Sequence, residues 1–338
     1  MASALIQTKK GPLVLLFYDG FEWRAREGQL DRIKASVRRI ARFSYRSALR
    51  KQVHTGFYTA FLALRRSLER HGCDVRVNDF RIARRLSNYP IGIAGFPSVL
   101  QAVQLANPKI FGPGDFGLPV QAAHLASDDQ IRTLIQPSKW FSDLYRPYCG
   151  DKLATWFAGI DTEAWPDLSR GPKKVDVLIY DKIHWYRDRE VPEVIGRLTS
   201  HLERRGLSWQ LLRYGFHHRS MFRAALSTAR SLAFISQHET QGLACQEALS
   251  SGVPVFAWNE GVLVDPQLTS AAPPDLGVSS VPYFDDRCGR TFRKAELEPE
   301  FDAFWSELKQ YDPRNFVLEN LSLEQSARCY LQLYSAAF

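Results

Sequence analysis

The sequence predicts an α/β protein built of two doubly wound halves. Three observations predict it. Residues 13–80 read as strand, glycine-containing turn, helix, glycine and strand. Residues 175–258 read as four strands alternating with three helical stretches. Between them, residues 166–173 are rich in proline, glycine and charge, as a linker is. Alternating strands and helical patterns are the mark of βαβ units in a parallel sheet, and 338 residues suit about two such domains.

Composition narrows the class. No run approaches the roughly 18 apolar residues of a membrane span. The start carries two lysines before an apolar stretch that is too short for a signal peptide and lacks a small-residue cleavage site, so it reads as a first buried strand. The five cysteines, Cys73, Cys149, Cys245, Cys288 and Cys329, are scattered and form no C-x-x-C pair. A disulfide frame and a zinc site are both disfavoured, and a cytoplasmic location is expected. The net charge of +8 points to an anionic ligand or surface. With no nucleic-acid-binding motif in view, nucleic acid is not the expected partner.

In order along the chain, residues 13–18 are strand-like and Asp19 closes them. From Leu30 to Lys51 the period is helical and the charge strongly basic. Two readings stand: a core helix with a solvated basic face, or a helix at an anionic membrane surface or presenting arginines to a lipid diphosphate. His54-Thr55-Gly56 opens a second helix over 57–71, and His54 either contacts a substrate or caps the turn. Gly72 stops this helix before a strand over 73–80. A short strand over 91–96 and a helix from Pro97-Ser98 follow. A strand over 107–112 then ends in Gly112-Pro-Gly-Asp-Phe-Gly117. Such a cluster lies at the carboxyl end of a strand, where open α/β sheets bind ligands. Asp115 is therefore a candidate to hold a substrate hydroxyl, or an aspartate that fills a turn. Residues 131–136 and 138–148 read as strand and helix, with Ser138 as cap.

The second half opens with a strand over 175–180, followed directly by Asp181-Lys182 and, after His184, by Arg187. Helices over 192–205 and 221–229 flank a strand over 209–214. A strand over 232–236 then leads into SQHETQGLACQEALSSGVPVFAW, residues 236–258. This stretch reads as loop, helix from about Gly242, tight stop at Gly252 and buried strand. Glu239 falls before the helix and Glu247 more than one turn inside it. A helix N-terminus offers unpaired amides and partial positive charge to a diphosphate, and Gly242 lets the backbone come close. A carboxylate farther along is placed to accept from a ribose diol. Beyond Trp258 the chain reads as irregular, with an aromatic and acidic loop over 281–289, until a helix over 315–338 in which Ser322 and Gln325 form a capping box.

Glu239, Gly242, Leu243, Glu247, Ala248, Leu249, Gly252, Pro254 and Val255 together resemble the E-x7-E cassette of retaining GT-B glycosyltransferases of the family-4 type. Gly159, Ile160, Asp161 and Thr162 are similar to the turn that closes the first domain there. The family's usual Gly-Arg and Lys-Gly cations are matched in position and charge only, by Lys182 and Arg187 with the cation types exchanged and the glycines gone. The resemblance implies a GT-B fold, two Rossmann-like doubly wound domains facing a cleft. The expected domains are 1–165 for the acceptor, 173–314 for the nucleotide sugar, and a helix over 315–338 bracing the first.

It further implies retaining transfer of a sugar from a nucleotide sugar to a hydroxyl of a saccharide or lipid-linked acceptor, in bacterial surface polysaccharide or glycolipid synthesis. Glu239, Lys182 and Arg187 would be catalytic. Glu247, Gly242, Leu243 and, in a Gly-rich loop of the first domain, Gly56 would hold the donor. His54 and Asp115 would meet the acceptor. No D-x-D metal motif stands at the expected cleft, so neither metal nor cofactor is expected. Two other readings stay open: a non-catalytic GT-B scaffold that binds a lipid or partner, and a GT-B sugar epimerase or phosphorylase.

Overall fold

The computed structural model describes residues 5–20, 22–25 and 56–338. The basic segment from Leu30 to Lys51 and His54 lie outside the described residues. The chain divides into two compact units, Met1–Gly159 with Leu323–Phe338, and Ile160–Ser322.

The first unit is a mostly parallel sheet. Strand β1 (Gln7–Thr8) turns back antiparallel onto β2 (Gly11–Asp19). Helix α1 (Gly56–Arg70) leads to β3 (Asp74–Val77), and α2 (Phe80–Arg85) to β4 (Ile91–Gly95). Helix α3 (Ser98–Ala102), β5 (Lys109–Gly114), α4 (Ala123–Ser127), β6 (Ile131–Gln136), α5 (Lys139–Cys149) and β7 (Leu153–Thr155) complete the run. The sheet order is β3-β2-β4-β5-β6-β7, all parallel. Strand β2 is buried without interruption from Leu13 to Asp19, as a strand covered on both faces must be.

Two sequence expectations change here. The strand expected over 73–80 stops at Val77, because the Asp79 carboxylate accepts from the Ile82 amide at 3.1 Å and starts α2. Ser138 does stand in extended backbone ahead of α5, but its hydroxyl makes no capping bond.

The second unit is a five-stranded, wholly parallel sheet. It begins with β8 (Val175–Lys182). Helix α6 (Arg187–Glu190) runs through a wide π turn at Val191–Gly196 into α7 (Arg197–Arg204). Then come β9 (Trp209–Arg213), α8 (Arg219–Thr228), β10 (Ala229–Ser236), α9 (Leu243–Ser250) and β11 (Val255–Trp258). After a long irregular segment, β12 (Gly289–Phe292), α10 (Leu297–Ser306) and α11 (Pro313–Asn320) follow. The order is β12-β11-β10-β8-β9. Strands β8 and β10, at the centre, bury Val177, Ile179, Ala233 and Ile235 in a core closed by Phe256, Phe292, Phe301 and Phe304. The rings of Phe256 and Phe292 stack at 4.3 Å.

Three expectations change in this unit. Strand β8 extends two residues past Tyr180, so Lys182 is the last strand residue rather than part of the loop. Arg187 begins a helix expected only from residue 192. The stretch beyond Trp258 contains β12 and α10, which complete the sheet and its cover.

The helix expected over 315–338 is two helices. Leu321 leaves helical geometry, its carbonyl accepts from the Ile160 amide at 2.8 Å, and Ser322 pairs with Ile160. The chain then re-enters the first unit as α12 (Leu323–Ala336), which packs on α1. The Leu15 amide donates to the Tyr334 hydroxyl at 3.0 Å, that hydroxyl donates to the Pro90 carbonyl, and the Trp156 indole donates to the Ser326 carbonyl at 3.0 Å.

Candidate functional site

In the second sheet the neighbours β8 and β10 send their chains in opposite directions. From β8 the path leads to β9 on one side, and from β10 to β11 on the other. Loops that part in this way leave a crevice at the carboxyl ends of the two strands, the place where open α/β sheets bind ligands. Lys182 ends β8 and Ser236 ends β10, so the sequence-predicted residues fall on the two lips of that crevice.

Lys182 and Glu239 meet there. The ammonium is 2.7 Å from the Glu239 carboxylate, both groups are largely buried, and the Ser236 hydroxyl donates to the same carboxylate at 2.8 Å. The Glu239 amide donates to the Ser279 carbonyl at 3.0 Å, fixing the loop. The Tyr214 ring lies under the ammonium at 4.7 Å and covers the other side of Lys182. A buried charge pair of this kind costs desolvation and contributes position more than net stability.

The turn after β8 is tied to the loop after β10. The Gln237 side chain accepts from the His184 and Trp185 amides at 3.2 and 3.0 Å and donates to the Trp185 carbonyl at 2.8 Å. The His238 ring tilts over Trp185 at 4.8 Å. Burial pulls the pKa of both His184 and His238 below the ordinary range, so both are neutral at pH 7. Arg187 stands at the first helical residue with its guanidinium turned back. It bonds both oxygens of Asp181 at 2.9 and 2.6 Å and the Ile183 carbonyl at 2.6 Å. Arg187, which the sequence expectation sets beside Lys182 as a cation for the donor diphosphate, makes this bidentate grip on its own turn.

Helix α9 begins as the sequence predicts. Gly242 precedes it at φ 81°, a left-handed conformation that glycine takes at least cost, and Leu243 is the first helical residue. The Gln241 and Gln246 side chains hold the entry turn, with Gln241 donating to the Gln246 carbonyl oxygen and Gln246 donating to the Gln241 backbone carbonyl, each at 3.0 Å. Glu247, in the second turn, meets Arg219 at 2.6 Å. The Arg219 guanidinium lies 5.0 Å over the Trp165 ring. Burial pushes the Glu247 carboxyl up to about 7, against the pull of Arg219 and the Trp165 indole.

The structure thus gathers Lys182, Glu239, Gly242, Leu243 and Glu247 at one sheet end, with Arg187 beside them. It adds Ser236, Tyr214, Gln237, Arg219 and Trp165, which the sequence reading missed. Ser236 acts on Glu239 only three residues away, whereas Tyr214, Gln237, Arg219 and Trp165 carry no local signal, since each acts on a partner brought near by the fold. In the first unit, Gly56 is the first residue of α1. Asp115 follows β5, where its amide donates to the Gly95 carbonyl at 3.0 Å and its carboxylate accepts from the Gly117 amide at 2.8 Å. The Asp115 carboxylate thus fills a turn.

Two doubly wound, largely parallel sheets of this kind are those of the GT-B fold of glycosyltransferases. No known family's sequence profile matches the chain, and no curated protein matches it. Solved structures do. The chain is similar to AviGT4, a glycosyltransferase involved in avilamycin A biosynthesis, with a TM-score of 0.50 and 12% identity over 96% of this chain and 97% of that one. It is similar also to a glycosyltransferase from Rickettsia africae ESF-5, with a TM-score of 0.53 and 12% identity over 83% of this chain and 81% of that one. At such identity the likeness is one of fold. In the described residues no helix is long and apolar enough to cross a membrane.

Proposed function

We propose that this chain is a retaining, metal-independent glycosyltransferase. It would move a sugar from a nucleoside diphosphate sugar to a hydroxyl of a saccharide or lipid-linked acceptor, in bacterial surface polysaccharide or glycolipid synthesis in the cytoplasm. The observation that carries the reading is the Lys182–Glu239 pair at the diverging ends of β8 and β10, one short loop before the helix that bears Glu247.

In this reading Glu247 accepts the ribose hydroxyls, and the first amides of α9, from Leu243 onward, face the diphosphate. Lys182 exchanges part of its bond to Glu239 for the phosphate oxygens and offsets their charge as the nucleotide leaves. Glu239, released in part, accepts from hydroxyls of the transferred sugar. The bond between the sugar's anomeric carbon and the phosphate oxygen breaks, and the bond to the acceptor oxygen forms on the same face. The acceptor proton passes to the departing phosphate. Arg187 shapes the turn that presents Lys182. Gly56 on the donor side, and His54 and Asp115 on the acceptor side, remain the assignments for the first unit.

The test is thermal stability against nucleoside diphosphates and nucleotide sugars, with and without magnesium. A ligand at about a hundred times its Kd adds roughly 2.7 kcal/mol. The expected result is a shift with one nucleobase, indifferent to magnesium, lost in Glu247→Ala and kept in Glu239→Ala, which instead turns over slowly. Nucleoside diphosphate release should depend on acceptor. A shift without such release would turn the reading into a binding scaffold, and no shift with any nucleotide would sink it.

A further inference from the structure

Away from the nucleotide crevice, the free edge of the second sheet is apolar and basic at once. Eleven large apolar side chains stand exposed among the described residues, and five fall between residues 209 and 221: Tyr214, which belongs to the crevice, and Trp209, Leu211, Phe216 and Met221. Phe216 is 74% exposed and Met221 50%. Among the described residues β9 pairs only with β8, so its other edge is unpaired. Side chains alternate along a strand, so Trp209, Leu211 and Arg213 share one face. The turn at Gly215 then folds Phe216 under the Arg213 guanidinium at 4.6 Å, prolonging the row. Met221 and Arg223 follow in the first turns of α8.

The charge of this stretch is one-sided. From Arg204 to His238 the sequence has six arginines and no aspartate or glutamate. Three of the six are matched from elsewhere: Arg205 by Asp302, Arg219 by Glu247 and Arg230 by Asp176. Arg213 rests on a phenyl ring and Arg223 is left to solvent, so the exposed row is positive as well as apolar. A contiguous apolar patch on a soluble unit marks a contact surface, and its charge decides the occupant. A second copy docked by symmetry would bring positive against positive. A protein partner presents a mosaic of both signs, yet the stretch from Trp209 to Arg223 carries no acid for its cations. A surface of uniform negative charge over an apolar interior matches both properties, with guanidinium groups among headgroups and the Trp209, Leu211, Phe216 and Met221 side chains at the acyl boundary.

We infer that the β9 edge of the second unit, with the turn to α8, docks on an anionic phospholipid bilayer. This does not depend on the transferase reading, and it concerns a different part of the chain from the basic segment between Leu30 and Lys51.

The experiment is co-sedimentation of the whole protein with vesicles of phosphatidylcholine alone and of phosphatidylcholine with a quarter phosphatidylglycerol, at about 0.1 M and 0.5 M salt. Binding is expected to the mixed vesicles only, and to weaken at high salt. Phe216→Ser with Met221→Ser should reduce it. Arg213→Gln with Arg223→Gln should weaken it roughly 25-fold, about fivefold for each arginine. All four are surface positions outside the nucleotide crevice, so an unchanged circular dichroism spectrum and melting temperature are expected of both pairs. No binding to the anionic vesicles overturns the inference. So does binding undiminished in both pairs, which would move the contact to another surface such as the Leu30 to Lys51 segment. A dimer abolished by the same substitutions, without vesicle binding, overturns it in favour of self-pairing.

Discussion

Glu247 is a carboxyl with a divided environment. Burial raises its pKa to about 7, while Arg219 and the Trp165 indole draw it down. A carboxyl whose folded pKa exceeds its unfolded value favours the folded state at low pH, and that contribution is lost as pH rises from the ordinary glutamate value toward 7. Glu247→Gln should therefore gain stability relative to the parent chain as pH rises from about 5 to 8, read as melting temperature. Nucleotide binding should run the other way, strengthening as Glu247 ionises. Arg219→Ala removes a cation that favours ionisation, so the midpoint of the binding profile should move above 7, with Arg219→Lys between. Tyr180, whose hydroxyl meets His217, also lies near enough to Glu247 to feel its charge. A profile unmoved by Arg219→Ala would show that the pair does not set the charge of Glu247. The glutamates themselves were legible in sequence, because Glu239, Gly242 and Glu247 lie within a few residues and their spacing has local meaning. Arg219 and Trp165 were not, because they lie 28 and 82 residues from Glu247 and only the fold brings them to it.

At the scale of elements, α12 is joined to the first sheet by close fit as much as by hydrogen bonds. Gly92, in β4, faces the Tyr330 hydroxyl and Leu16 so closely that a methyl group there would overlap both. That hydroxyl is buried and has no hydrogen-bond partner among the described residues. Gly92→Ala should cost about 2 kcal/mol by overpacking. Tyr330→Phe removes the atom in the way and leaves no bond unmade, so it should be close to neutral alone and recover much of the loss in the double variant. Denaturant unfolding of the four chains measures this, and an additive double variant would refute it. Element type was readable where apolar period and punctuation agreed, as in β2, α1, β10 and α9. It was missed in α10 although Leu297, Phe301 and Phe304 have helical spacing, because the strand before it is four residues long and the approach from Trp258 is irregular. It was overrun at 315–338, although the Ser322–Gln325 capping pattern stands at the break, where the Leu321 carbonyl accepts from the Ile160 amide.

At the scale of the molecule, two alternating α/β halves were visible in the sequence, and the likeness to solved glycosyltransferase structures shows their fold to be GT-B. A terminal helix bracing the first half was expected from the resemblance; the points at which the chain crosses between the halves were not legible. Residues 160–322 form one unit, and the other is made of what comes before and after. Ending the chain after Ser322 should leave β2 without the Tyr334 hydroxyl and Trp156 without its carbonyl partner. Such a chain should lose cooperative melting of the first unit while the second still melts as one transition. A single unchanged transition would show α12 to be dispensable.

The same division sets an order of birth. During synthesis the second unit emerges as one uninterrupted stretch and can close on its own. The first cannot be completed until some 160 further residues have left the ribosome and α12 arrives. For that interval the cavity meant for Tyr330 and Tyr334 is an open, greasy socket. The apolar surface that Tyr330 and Tyr334 later cover is thus the last part of the first unit to be closed.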